Sequence, residues 1–358
     1  MNCSSKYPKM KKILFFLILV NFSFLILNCS RRYEPEPLQL TVKQNLALLQ
    51  SEPQFVMYLN FKKMRDTDFW KKFISDSIFA SERNFGSFLN TLKTATGASI
   101  SNGIDELYFS NSWIGDNAMV IKGTFDKNKI NDYVKTDTNY TVIPYPNNIG
   151  VYNNQALHFY FYFRDDFTIC ASNYLNQIEI TLKVTDTSSS GLLTNKNAID
   201  AIESIKYKEN LWMMSNQKTF IRGIFENLSR INKKGKDEIP GGQPGDSSSV
   251  TDTAKGSFDL ASIYSKINAV SFSVKMGDAI SLVMQNNCED EQSATELKTR
   301  VEAMIALAKL SAQFSKTKSP AIIKLLDKID INNYGKILFL ETKIEPQQIE
   351  EIRKQKVF

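Results

Sequence analysis

Short apolar runs alternate with amphipathic segments along residues 43–358, and their order predicts a recurring unit of strand, cap and helix. In residues 117–135, the apolar run 118–121 is followed by Asp126 and then by apolar positions at helical spacing. Asp126 is a good N-cap because its carboxylate can accept hydrogen bonds from the first free N–H groups of a helix. The pattern therefore predicts a strand and then a helix that begins after Asp126.

The same unit recurs twice in the C-terminal third of the chain. Residues 337–340 form an apolar run that leads to Pro346, a residue suited to the first position of a helix. Residues 279–283 lead through Glu289 and Asp290 into a long segment whose apolar residues recur at steps of three and four. This spacing predicts a helix of about five or six turns with one buried face.

Two longer strand–helix units frame these smaller ones, and the strand-like runs recur in the same order at a nearly constant separation. The matching runs are 55–59, 104–109 and 118–121 in one half, and 211–214, 267–272 and 279–283 in the other. We therefore predict an α+β fold made of two tandem similar halves, residues 43–195 and 196–358, with antiparallel sheets and helices packed on one face. The alternative is a chance recurrence of strand–helix alternation.

Residues 140–170 combine dense aromatic residues with turn residues, a composition that predicts successive antiparallel strands. We call this region the aromatic hairpins. Exposed aromatic surfaces of this kind can bind sugars, lipids or peptides. Alternatively, the rings pack in the core or pair across strands. If the region binds a ligand, the candidate residues are Tyr152, Tyr160 and Tyr162.

Residues 232–256 differ in composition from the rest of the chain. Glycine, proline and serine dominate this segment, and its apolar residues are too few to order it. Since strand-like runs of the second half flank the segment on both sides, it is predicted to be a flexible insertion within that half.

The N-terminal pattern predicts export. An apolar run, Ile13–Leu27, follows two lysines and precedes Cys29, as in a bacterial signal peptide. The run is shorter than the ~18–20 residues that cross a bilayer comfortably, so a permanent transmembrane helix is the weaker interpretation. Residues 1–28 are predicted to be the signal peptide. Counted from Met10 the signal is compact, which makes Met10 an alternative start.

The processing site resembles a lipobox, the bacterial lipoprotein signal that ends in an obligatory cysteine. The matching stretch is Ile26-Leu27-Asn28-Cys29, and the resemblance implies that Cys29 becomes a lipidated N-terminus. Asn28 departs from the usual small residue, and ordinary signal cleavage is the alternative. Residues 29–42, which contain alternate prolines, would then be an extended tether. The expected location is the bacterial cell envelope, lipid-anchored to the outer membrane and facing the periplasm.

Charge and cysteine content narrow the function classes. The formal net charge is +6, but removing the four lysines before Cys29 from the 44 basic residues leaves 40 against 38 acidic residues. This near balance implies no nucleic-acid partner. Cys170 and Cys288 have apolar or strand-like neighbours, where an unpaired thiol packs well, so we expect two free thiols. A disulfide between them is the alternative in an oxidising compartment.

The search for reactive groups finds few of the usual catalytic parts. The single histidine, His158, lies in the strand-like run 156–163 and is expected on a strand surface with Tyr160 and Tyr162. Asp165 and Asp166 are expected at a hairpin tip. The glycines near residue 241 lack the lysine of a phosphate loop. We therefore expect no cofactor, no metal site and no enzymatic activity.

The order of the units over most of the mature chain resembles a group of uncharacterised secreted or lipid-anchored bacterial proteins, a domain of unknown function. The resemblance includes no catalytic residues to transfer. The expected role is non-catalytic binding or structural support in the envelope, with the membrane, an envelope protein or a hydrophobic ligand as partner. Two alternatives are a periplasmic lipid carrier and a carboxylate-based hydrolase of envelope polymers.

Overall fold

Twelve strands pair into one sheet in a computed structural model of the chain. The model describes residues 34–74, 85–112, 114–185, 189–233, 264–314 and 324–354. The strands are β1 Phe55–Asn60, β2 Ile104–Asn111, β3 Asn117–Gly123, β4 Tyr140–Tyr145, β5 Ile149–Asn154, β6 Phe159–Phe163, β7 Thr168–Ser172, β8 Leu211–Ser215, β9 Ile267–Met276, β10 Ile280–Cys288, β11 Asp330–Tyr334 and β12 Ile337–Ile344.

Helices connect most of these strands. They are α1 Leu40–Leu46, α2 Phe61–Arg65, α3 Asp68–Phe73, α4 Phe85–Thr96, α5 Lys127–Thr136, α6 Leu175–Leu182, α7 Lys196–Glu203, α8 Lys218–Lys233, α9 Glu291–Phe314 and α10 Pro346–Lys354, with short 3-10 turns at Pro146–Asn148 and Gly191–Thr194. The α+β class predicted from the sequence is confirmed.

The sheet is antiparallel at every strand pair, with the order β11-β12-β10-β9-β8-β1-β2-β3-β7-β6-β5-β4. Strands β1 and β8 pair near its centre, where Val56 lies opposite Met214. The sheet therefore runs without a break from the first predicted half into the second, and the described residues from Glu36 onwards form one compact unit.

Alternation along the strands separates two faces of the sheet. We call the side that bears Tyr58 and Trp212 face 1, and the side that bears Leu59 and Leu107 face 2. On face 1 an apolar cluster joins the sheet to α1, α6 and α7. On face 2 a second cluster joins it to α2, α3, α4 and α5, and a third involves α8 and α9.

The expectation that helices pack on one face is therefore wrong. The central strands are apolar at successive positions; Val120 is buried on face 1 and Ile121 on face 2. A strand that is apolar on both sides needs a covering layer on both sides, because exposed apolar area is costly in water. This pattern in the run 118–121 was already visible in the sequence.

Several predicted helix starts are confirmed. The Asp126 carboxylate accepts hydrogen bonds from the backbone N–H groups of Asn128 and Lys129, at 3.0 and 3.1 Å. Asp290 accepts one from Ser293 N–H at 2.7 Å, although β10 continues five residues further towards it than predicted, to Cys288. Pro346 is the first residue of α10.

Both remaining cysteines are free and buried, as predicted. Cys170 lies on β7 in the face 1 cluster, and Cys288 lies at the end of β10 in the third cluster. The predicted signal peptide and Cys29 lie outside the described residues, and so does the predicted insertion 232–256 except for its first two residues. Among the described residues, no helix is long and apolar enough to cross a membrane.

Candidate functional site

The aromatic hairpins form the β4 edge of the sheet, and their register places the three candidate tyrosines on two faces. Tyr152 lies opposite Phe161, whereas Tyr160 lies opposite Asn153. Because side chains alternate along a strand, Tyr160 and Tyr162 share face 1 and Tyr152 lies on face 2. The three side chains therefore do not form one continuous surface.

Tyr152 is held by neighbours within the chain. Its ring stacks on Phe161 with centroids 4.9 Å apart and planes 17° apart, and Phe163 meets it edge-on at 6.2 Å. Its hydroxyl donates to Asn131 Oδ1 on α5, and partial burial raises its pKa. These contacts make Tyr152 part of the packing between the hairpins and α5.

The two face 1 tyrosines differ in exposure. Tyr162 is 2% exposed and lies opposite Cys170 on β7, and burial raises the pKa of its hydroxyl. Tyr160 is half-buried and packs at the margin of the face 1 cluster. Of the three candidates, Tyr152 and Tyr160 are therefore the partly accessible ones.

His158 does not lie on a strand, contrary to expectation. It is an exposed residue of the turn between β5 and β6, and its φ of 49° is in the left-handed region. The turn is organised by Asn154, whose Oδ1 accepts a hydrogen bond from Leu157 N–H at 3.0 Å. An asparagine that caps a turn in this way ends the strand before the aromatic run begins.

The paired aspartates lie at a hairpin tip, as expected. Asp165 Oδ1 accepts a hydrogen bond from Phe167 N–H at 2.7 Å, which closes the turn between β6 and β7. Asp166 pairs with Lys127 at 2.7 Å on the exposed surface. Both carboxylates have structural partners within or beside the turn.

A polar network lies on face 1 at the centre of the sheet. Tyr58 and Tyr108 lie side by side on β1 and β2, with ring centroids 4.6 Å apart. The Tyr58 hydroxyl accepts a hydrogen bond from Asn60 Nδ2 at 2.8 Å and also interacts with Glu106. Burial raises the pKa of Glu106, although Lys122 and Lys63 oppose the shift. These residues line neither of the two cavities described next.

A polar cavity in the described part of the chain lies where β8 and β10 end and β9 begins. We call it the strand-end pocket. It has a volume of about 360 Å³ and is covered by α7 and the β11–β12 turn. Its polar lining residues are Asn197, Asp200, Asn216, Lys218, Asn268, Asn287 and Lys336. Sequence reasoning missed this pocket because its residues come from five separate segments.

The second cavity, of about 320 Å³, is a groove between α9 and residues 326–332, and we call it the α9 groove. Its apolar lining residues are Ile305, Ala306, Leu326, Ile329 and Ile331, and its polar ones are Glu302, Lys309, Asp330 and Asn332. Lys309 pairs with Asp327 at 2.8 Å beside the groove. The α9 groove thus has an apolar wall and a charged rim.

The described residues contain no group of three or more His, Cys, Asp or Glu side chains that could hold a metal ion. Neither cavity brings together an established set of nucleophile and base among its lining residues.

Comparison with known proteins adds a fold-level likeness only. No family model matches the chain, and no curated protein matches it. A structure titled crystal form III of TP0453 is 7% identical, with a TM-score of 0.45, and the match covers 86% of this chain and 97% of that one. Crystal form I of TP0453 is 9% identical, with a TM-score of 0.44, and the match covers 87% and 97%. Likenesses this distant assign no role to any residue.

Proposed function

We propose that the chain is a lipid-anchored protein of the bacterial envelope with a non-catalytic role, and that it binds a hydrophobic ligand in the α9 groove. The location rests on the signal-like N-terminus and Cys29. The choice of ligand class rests on α9.

The proposal of a hydrophobic ligand rests on the uneven burial of α9. Its buried residues, Ser293, Ala294 and Leu297, all lie in the first two turns. From Lys298 to Leu310 no side chain is buried, although this stretch is rich in apolar residues. Leu307 and Leu310 are each 51% exposed. Apolar helix surface that the described residues leave partly uncovered is typical of a binding site, whereas single exposed apolar residues are ordinary.

The groove beside this stretch suits an alkyl chain. Branched apolar side chains of α9 and residues 326–331 face one another across it. Its volume is at the lower end of the range of ligand pockets, ~300–1,000 Å³. Each Å² of apolar area that a ligand removes from water contributes ~25 cal/mol, so an alkyl chain gains affinity without a specific polar contact. Lys309 and Asn332 at the rim are placed to meet a polar head group.

The aromatic hairpins are the competing surface. Tyr152 and Tyr162 are engaged within the fold, one by Asn131 and Phe161 and the other by burial on face 1. Only Tyr160 has a partly exposed ring without such engagement among the contacts described above. The groove is therefore preferred, and Tyr160→Ser is the variant that tests the hairpins.

The ligand proposal is tested with the mature protein and a fluorescent fatty acid, cis-parinaric acid, as the probe. Saturable binding is expected in the unmodified protein, and Ile305→Ser and Leu326→Ser should each weaken it at least fivefold. Ile180→Ser is the control, because Ile180 is an apolar residue of a helix that is accessible to solvent, at 43% exposure, but lies on α6, away from the groove. Loss of binding in Ile180→Ser or Tyr160→Ser, or no binding at all, would contradict the groove assignment.

The anchor is tested separately by mass spectrometry of the N-terminus of protein extracted from its own envelope. A diacylated or triacylated Cys29 is expected. Cys29→Ala should move the protein into the soluble fraction, because several acyl chains at ~0.8 kcal/mol per buried methylene supply the membrane affinity. An unmodified N-terminus would refute the anchor and leave the groove proposal standing.

We also propose that residues 43–195 and 196–358 are related halves of a duplicated unit. In support, β1, β2 and β3 extend in one direction from the centre of the sheet, and β8, β9 and β10 extend in the other in the same antiparallel sequence. Superposition of the two halves in an experimental structure tests this. Failure of these three strand pairs to superpose together would reject it.

A further inference from the structure

The strand-end pocket is distinct from the α9 groove and is polar on most sides. Strands β8 and β10 end where the antiparallel strand β9 begins, and α7 covers face 1 of the sheet at these strand ends. Ala269 and Ala201 are the small residues that leave room between the sheet and α7, since both line the pocket and are buried in the face 1 cluster.

Four carboxamides contribute spare hydrogen-bonding capacity. Asn287 Nδ2 donates to Ser204 Oγ at 3.1 Å, which leaves its Oδ1 available. Asn216 and Asn268 each make one long side-chain contact, at 3.5 Å. Asn197 has no side-chain partner among the described residues. A carboxamide both donates and accepts, as a hydroxyl group does, so this lining is complementary to vicinal hydroxyls.

The charge of the pocket is positive. Lys218 Nζ is fixed by the carbonyl oxygens of Ser265 and Ile267, at 2.6 and 2.8 Å, and neither carbonyl neutralises it. Lys336 forms no ion pair with the described residues. The one carboxylate of the lining, Asp200, is paired with Lys196 at 2.6 Å. Two lysines therefore face the pocket, and the one acid of its lining is already paired.

Cys288 lines the pocket and is 1% exposed. Burial raises its pKa to about 12, and the nearby acids Asp290 and Glu289 add to the shift. At neutral pH the thiol is protonated and is not a nucleophile. The pocket is thus equipped to bind a ligand and lacks an activated group that would transform one.

We propose that the strand-end pocket binds a monosaccharide that carries a negative charge. The hydroxyls would be held by Asn197, Asn216 and Asn287, and the anionic group would be held near Lys336 and Lys218. The volume of about 360 Å³ limits the buried part of the ligand to one small ring. The anionic group can be a uronic acid carboxylate or a phosphate ester, which share this chemistry.

The proposal is tested by calorimetric titration of the folded protein with four probes: glucuronate, glucose 6-phosphate, uncharged glucose and inorganic phosphate. One of the two charged sugars should bind at least tenfold more tightly than glucose and inorganic phosphate, and which one it is distinguishes the two sources of charge. Asn287→Ala and Lys336→Gln should each weaken that binding by about three- to tenfold, the range expected for one lost hydrogen bond or charge contact.

Matched controls separate this pocket from the α9 groove. Asn332→Ala and Lys309→Gln make the same chemical changes at the groove and should leave sugar binding within twofold of the unmodified protein. Circular dichroism melts confirm that each variant is folded. The inference is overturned if neither charged sugar binds at 10 mM, if inorganic phosphate binds as tightly as glucose 6-phosphate, or if the Asn287 and Lys336 variants bind like the controls.

Discussion

The two sides of the central β1–β8 pair are packed differently. Strands β1, β2, β3 and β7 bury apolar side chains on both faces, as Tyr108 and Leu107 illustrate on β2. On the other side, the apolar cluster of β9, β10 and β12 is smaller and lies on face 2. Face 1 of β9 and β10 is largely polar there, with Ser271, Ser273 and Gln285 buried.

Hydrogen bonding differs between the same two regions. Ser110 on β2 is buried and its hydroxyl donates to Gln50 Oε1 at 3.0 Å. On the other side, Ser273 Oγ, Asn286 Oδ1 and Thr342 Oγ1 are buried polar atoms without a hydrogen-bond partner among the described residues, whereas the first side has one such atom there, Tyr162 Oη. A buried polar atom without a partner costs about 1–3 kcal/mol. The second half is therefore less well satisfied in its interior.

The comparison shows where stability and binding reside. The first half holds most of the buried apolar side chains of the described residues. Burial of apolar area is the main favourable term in folding. Both proposed ligand cavities lie entirely in residues 196–358. Binding regions are commonly drawn from the less stable parts of a fold, and this chain follows that division.

The largest expected effect is on the core of the first half. Leu107→Ala should lower the free energy of unfolding by about 2–5 kcal/mol, since Leu107 is fully buried on face 2 and its removal leaves a cavity. Leu307→Ala, at an exposed position of α9, should change it by less than about 0.5 kcal/mol. Urea denaturation measures both. Equal losses would show that α9 is part of the packed core, and the comparison would fail.

Two glycines with nearly the same φ but different surroundings allow the cost of overpacking to be measured separately from the cost of the backbone conformation. Gly191 and Gly335 have φ of 53° and 54°. A Cβ at Gly191 would lie 2.3 Å from the carbonyl oxygen of Ala47, whereas one at Gly335 would meet nothing within 4 Å. Gly335→Ala should cost about 1–2 kcal/mol from the left-handed conformation alone. Gly191→Ala should cost about 1–3 kcal/mol more from overpacking. Thermal melts of the two variants check the order.

Sequence patterns predicted the elements of this fold well where one signal dominated. The apolar run before Pro346 and the capping residue Asp126 each gave a strand or helix close to its observed position. The aromatic hairpins were also placed closely, except that the first three residues of the predicted run 156–163 lie in the turn and β6 begins at Phe159. Residues close together in the sequence determine such features, so a single sequence is enough to predict them.

The cavities were not predictable in the same way. Lys218 and Lys336 line the same pocket although they are far apart in the sequence. Only the pairing of β9, β10 and β12 brings them together. The aromatic hairpins were predicted as a binding surface because their aromatic residues lie close together in the sequence. Their density reflects packing on both faces, shown by Tyr152 on face 2 and Tyr162 on face 1. The register of the strands therefore places these tyrosines on opposite faces of the sheet, which the composition of the region could not show.

A smaller effect is expected from pH at the central network. Glu106 has a pKa raised above its ordinary value of 4.5, chiefly by burial. The folded state therefore holds this proton more tightly than the unfolded state, and the stability contributed is present below pH 4.5 and is lost as pH rises through the folded-state pKa. Glu106→Gln removes this titration but keeps a hydrogen-bond acceptor for Tyr58.

As pH rises above 4.5, the free energy of unfolding of Glu106→Gln should therefore increase relative to that of the unmodified protein. Urea denaturation at a series of pH values measures this difference. Asp290 and Glu296, at the start of α9, act in the opposite direction, because hydrogen bonds hold their pKa values below the ordinary ones. Their contribution is lost as pH falls, so Asp290→Asn should narrow the difference between neutral and acidic stability. A Glu106→Gln curve parallel to that of the unmodified protein would show that Glu106 does not couple to folding.

The smallest expected effect compares two buried serines on the two sides of the sheet. Ser110 and Ser273 are 0% and 2% exposed, and both lie on strands. Ser110→Ala should cost about 1 kcal/mol, because it removes a hydroxyl that is hydrogen-bonded to Gln50. Ser273→Ala should be neutral or stabilising by up to about 1 kcal/mol, since it removes a buried hydroxyl that has no partner among the described residues. Urea denaturation of the two variants resolves the sign. A loss of equal size at Ser273 would mean that its hydroxyl is satisfied in solution, and the contrast between the two sides would then not hold at this position.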